Sequence, residues 1–261
     1  MLIFKRFSVF LLPFLVFLAF ITLFFEPQWL YFLIGAVALI IVLNTWYLTG
    51  QKLDRTDFLN FLYTPILFVG SSLIFYAFLE SPVIKTMMIF LVTVSIFWYF
   101  NKIFVEFYKN QVWQLSSFKP IITYLQVLTI WFMGSAFFGL IILLNFSLVL
   151  TVIILALSLV LFLNQQIWLA DKRSSSGYEW LIYLIFLFIA VECVIILEMI
   201  PFSYYFKGFL ITSIFYLFSQ GLLINLFKDN DQPSKKNYQR LLIFASSLIL
   251  TVLIFNYLII K

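Results

Sequence analysis

One carboxylate stands deep inside an apolar run. Glu192 follows Trp180 by 12 positions, about 18 Å along a helix that rises 1.5 Å per residue. An ionised group near a bilayer centre costs on the order of 3 kcal/mol, so such a residue faces a partner or a wet cavity. The next apolar run offers a partner surface: Tyr205, Gly208, Thr212, Tyr216 and Ser219 recur at spacings of three or four and form one helical stripe. A turn around Pro201 to Ser203 makes the two runs antiparallel neighbours, which predicts a hydrogen bond from Glu192 to Thr212 or Tyr216. Glu192, Thr212, Tyr216 and Ser219 are therefore the candidate intramembrane polar site. Such a site is either glue between packed helices or a place for a proton, an ion or a small solute.

The remaining polar residues point to weaker chemistry. Glu198 lies on nearly the opposite helical face from Glu192, near the outer boundary, with Lys207 available across the turn. Glu26, Glu80 and Lys85 fit interfacial anchoring at the same rim. Asp54-Arg55-Thr56-Asp57 places two carboxylates three apart, as in magnesium-diphosphate sites, but Arg55 can pair locally and Asp57 can cap a helix. Asp229-Asn230-Asp231 is an ordinary polar loop sequence that does not complete a metal cluster. Cys193 is the one cysteine and histidine is absent, which excludes an intrachain disulfide, histidine proton relays and Ser-His-Asp catalysis, and removes the usual ligands of structural zinc and haem. No cofactor, metal or catalytic residue is expected. Asn60, Thr64, Thr93, Gln126, Thr151 and Ser158 are single polar residues within apolar runs. Thr151 and Ser158 share a face, and Ser135 with Gly139 makes a small-xxx-small pair, all read as helix packing.

The elements that must position these residues are set by composition. Of 261 residues, 64% are hydrophobic and 10% charged, where soluble domains carry roughly 25% charged residues. Apolar runs long enough to cross hydrocarbon cover 7–25, 29–48, 58–79, 83–100, 121–144, 146–163, 180–200, 208–227 and 241–260. The expected fold is all-α: a polytopic transmembrane helical bundle of about nine spans forming a single integral membrane domain, residues 1–261. The charge-free region 121–163 would be roughly 65 Å long as one helix, so it must fold back, and Asn145-Phe146-Ser147 is the breakpoint. Ser81-Pro82 and Ser176-Gly177-Tyr178-Glu179 mark two helix starts. The Lys102, Glu106, Lys109 series extends the fourth helix into the headgroup zone.

Charge gives the threading. Lys5, Arg6, Lys52, Arg55, Lys102, Lys109, Lys119, Lys172, Arg173, Lys228, Lys235, Lys236 and Arg240 fall on the side of the amino terminus, and only Lys85, Lys207 and Lys261 on the other. The asymmetry places the amino terminus in the cytoplasm and the carboxyl terminus outside, with the first run a retained signal anchor. The formal charge of +5 is spread over short loops, which speaks against nucleic-acid binding. The expected partners are the lipid bilayer and a membrane protein, and the expected location is a bacterial cytoplasmic membrane.

The stretch from Glu192 through Glu198-Met199-Ile200-Pro201-Phe202-Ser203-Tyr204-Tyr205 resembles a bacterial family of small polytopic membrane proteins of unknown role. The resemblance implies membrane residence in a bacterium and no catalytic motif. With no nucleotide loop, nucleophile pair or extramembrane catalytic domain, the leading reading is a non-catalytic scaffold or complex subunit. A small-solute or ion transporter using Glu192 is the second, and an enzyme acting on a lipid-linked substrate the third.

Overall fold

The computed structural model describes residues 2–49, 53–108, 115–169 and 179–226. Eight α-helices account for almost all of them: α1 (Leu2–Phe25), α2 (Leu30–Thr49), α3 (Arg55–Ala77), α4 (Pro82–Tyr108), α5 (Lys119–Leu144), α6 (Leu148–Leu169), α7 (Glu179–Met199) and α8 (Tyr204–Leu226). There is no strand among the described residues. The eight helices match the first eight runs read from the sequence, and the ninth, 241–260, lies outside the described residues, as do Ser176, Gly177, Lys109 and Asp229 to Asp231.

Local chemistry sets the breaks. Asn145 closes α5 in the left-handed region at φ 51°, ψ 38°, and the Phe146 N–H returns to the Leu140 carbonyl at 3.2 Å. Asparagine tolerates this conformation because its short side chain bonds locally. Ser147 then starts α6, its carbonyl accepting from Thr151 N at 3.1 Å. The fold-back at Asn145-Phe146-Ser147 is thus the one the sequence predicts. Pro82 opens α4 at the position where a missing N–H costs nothing. Asp54, not Asp57, occupies the cap position of α3, and its side chain makes no capping bond; Asp57 lies in the first turn.

Packing divides the bundle into two halves that meet on α5. In one, α1 packs on α4 and α2, and α3 joins α2 to α5. In the other, α5 packs on α8, and α7 leans on α6. The exterior is apolar: Phe4, Tyr31, Phe90, Val149 and Met199 all project outward. A helix apolar on all sides, with its backbone bonds satisfied internally, needs lipid as its solvent. Among the described residues, seven helices, α1 to α7, are long and apolar enough to cross a membrane.

The expected extension of the fourth helix is present, and one expected span changes length. The fourth helix continues through Lys102 and Glu106 to Tyr108, with Lys102 Nζ 2.7 Å from Glu106 Oε1. Glu106 is buried, so this segment packs as well as anchors. The sixth run does not end at Leu163: α6 carries Asn164, Gln165 and Gln166 on to Leu169.

Candidate polar sites within the bundle

Glu192 and the α8 stripe do not meet. On α7 the buried ridge is Phe186, Ala190, Val194 and Leu197. Glu192 is two residues from both Ala190 and Val194, hence about 200° around the helix from each at 3.6 residues per turn. Its side chain is exposed, on a face shared with Ile185, Phe188, Ile195 and Ile196. It makes no hydrogen bond or ion pair with a described residue. The Thr212 hydroxyl donates instead to the Gly208 carbonyl at 2.7 Å, and Ser219 Oγ to the Tyr216 carbonyl at 3.1 Å. The hydrogen bond expected across the turn is therefore not formed.

The reason lies in which helix α8 prefers. Gly208 packs against the backbone of α5 so closely that an added Cβ would sit 2.5 Å from Ser135 N and 2.8 Å from the Trp131 carbonyl. Small residues at a crossing allow backbones to approach, and close packing drives association in lipid, where burial of apolar area does not. Gly208 of the expected stripe is pressed on Gly134 and Ser135 of α5 rather than on α7. Beyond the crossing, Thr212 and Tyr216 line a cavity of about 450 Å³ with Val127, Trp131, Phe209 and Ser213.

A polar cluster that the sequence reading missed joins α3, α5 and α6. Gln165 is its hub, fully buried: Oε1 accepts from Thr64 Oγ1 and Gln126 Nε2, both at 2.6 Å, while Nε2 donates to the Asn60 carbonyl at 2.5 Å. Gln166 Nε2 donates to Gln126 Oε1 and, at 3.3 Å, to Thr123 Oγ1. Asn60 Oδ1 and Gln166 Oε1 are buried without a partner among the described residues. The signal was present as a period: Thr151, Leu155, Ser158, Phe162, Gln165 and Leu169 step by four and three along one buried face.

One turn nearer the helix ends, the Trp168 indole donates to Asp57 Oδ1 at 2.8 Å. Phe61 packs edge-on against Trp168 and Phe118, with centroids 5.3 and 4.9 Å apart. Asp57 is thus held by α6, rather than capping α3. At the other end of the bundle the expected pairing of Glu198 does form. Lys207 Nζ lies 3.1 Å from Glu198 Oε2 and 3.0 Å from the Glu198 carbonyl, with the Phe138 ring 5.4 Å away. Lys207 is buried, so this pair is structural rather than a rim contact.

These features define a helical membrane bundle of multi-pass type, tied internally by amide, ion-pair and small-residue contacts. No family model, curated protein or solved structure matches the chain.

Proposed function

We propose that this protein is a non-catalytic subunit of a membrane complex and docks through the outer face of α7. The observation that carries this reading is Glu192: a carboxylate about 18 Å along its helix, exposed among Ile185, Phe188, Ile195 and Ile196. A carboxylate facing hydrocarbon costs on the order of 3 kcal/mol. A helix that brings a lysine, an arginine or a hydrogen-bond donor to the same depth removes that cost. The transporter reading required Glu192 to share a cavity with Thr212 and Tyr216, and the cavity beside those residues is walled by α5 and α8.

In this reading the chain has nine spans, with 241–260 as the last, the amino terminus in the cytoplasm and the carboxyl terminus outside. The unequal distribution of lysine and arginine between alternate loops supports that threading. The resemblance carried by 192–205 supports a bacterial cytoplasmic membrane. Photocrosslinkers placed at Phe188 and Ile196 in intact membranes test the docking face, with one at the buried Val194 as control. The expected result is a discrete protein adduct from 188 and 196 that is lost with Glu192→Leu. Adducts to lipid alone from both positions would overturn the proposal.

A further inference from the structure

We propose that the cavity between α5 and α8 binds the carbonyl group of a neutral, membrane-soluble amphiphile. The inference does not depend on how α7 docks. The cavity, about 450 Å³, falls within the roughly 300–1,000 Å³ of small-molecule sites. It lies to one side of the Gly134–Gly208 crossing, toward Val127 on α5 and Tyr216 on α8, each about two turns from the glycine of its own helix. A ligand there enters from the membrane.

The lining selects the chemistry. Ser213 is only 2% exposed, lies on the cavity wall and donates to no described residue. The Trp131 ring forms part of the same wall. Thr212 contributes no donor, because its hydroxyl is given to Gly208. A donor left without an acceptor is unfavourable, so an occupant that supplies an acceptor is favoured over a plain acyl chain. Among the described residues the walls carry no lysine, arginine, aspartate or glutamate, which disfavours charged groups. Val127, Phe209 and the rings of Trp131 and Tyr216 suit an apolar or flat body. A carbonyl on such a body occurs in two membrane-soluble classes, quinones and acyl esters.

Native mass spectrometry of the delipidated full chain in detergent distinguishes them, with a decyl-substituted benzoquinone and dioctanoylglycerol as separate probes. The expected result is one saturable adduct with at least one probe. Ser213→Ala weakens it about tenfold, as loss of one hydrogen bond predicts, and Ser213→Leu, which fills the cavity, abolishes it. Saturation by the quinone alone assigns that class, saturation by the ester alone assigns the other, and saturation by both leaves the carbonyl as the recognised group. A statistical ladder of adducts from both probes overturns the proposal, and so does saturable binding that Ser213→Ala leaves unchanged. Ser213→Ala is decisive if Ser213→Leu fails to fold.

Discussion

The Cα of Gly208 lies 3.0 Å from the point where a side chain on Gly134 would begin, so the two glycines bring the backbones of α5 and α8 into contact. Ile211 reinforces the fit, its Cγ2 2.8 Å from the same point. Gly208→Ala would place a methyl group against backbone atoms of Ser135 and Trp131 that no rotamer change can move aside. Overpacking of this kind costs about 1–3 kcal/mol. Gly35→Ala and Gly221→Ala meet nothing within 4 Å and serve as controls. Unfolding in mixed micelles should show the loss at Gly208 and Gly134 and none at the controls.

The Gln165 hub predicts coupled rather than additive losses. Gln165→Leu leaves the Asn60 carbonyl, Gln126 Nε2 and Thr64 Oγ1 without the partners they now have. Polar bonds inside membranes average about 0.6 and reach about 1.7 kcal/mol, and three are lost together here, so a destabilisation of about 2 kcal/mol is expected. Once Gln165 is leucine, Gln126→Leu should cost less than it does in the wild-type chain, because their shared bond is already gone. Equal costs in the two backgrounds would show that the residues do not act as a unit.

Why the bundle was legible and its contacts were not follows from these residues. Runs of apolar residues and the positions of Asn145, Ser147 and Pro82 depend on local chemistry, and they gave eight helices and the fold-back between α5 and α6. The Glu198–Lys207 pair was also readable, because a short turn joins its partners. Glu192 was placed wrongly by the assumption that chain neighbours pack most closely. The Gly208 face seats α8 on α5, across the two helices that separate them in sequence. The ridge Phe186, Ala190, Val194 and Leu197 could have shown that Glu192 points away. Gln165 was missed because three successive polar residues resemble a loop, although the seven-residue step from Thr151 to Ser158 lands on it next.

The Lys207–Glu198 pair predicts unequal effects from its two partners. Lys207 is 3% exposed, whereas Glu198 is 21% exposed. Glu198→Ala leaves a buried cation with only a backbone carbonyl, a change of the kind that costs about 3–5 kcal/mol. Lys207→Met leaves a carboxylate that is partly exposed near the end of α7 and fills the same space, so its cost should be smaller. The double variant Lys207→Met with Glu198→Ala should therefore be more stable than Glu198→Ala alone. Thermal unfolding in detergent reads the order directly, and a double variant less stable than Glu198→Ala would contradict it.

Glu192 separates a role in assembly from a role in holding the fold. Its exposed position gives it no described contact to lose, so Glu192→Leu should not destabilise the purified chain in unfolding experiments. In a mild detergent extract, the same substitution should shift the chain from a larger complex to its own micellar size. Glu192→Gln keeps a hydrogen-bonding group but removes the charge. If the partner supplies a cation, the complex dissociates with glutamine as with leucine; if it supplies a hydrogen-bond donor, glutamine retains the complex and leucine does not. Migration of the wild-type chain as a monomer, indistinguishable from both variants, would remove assembly from the account of this residue.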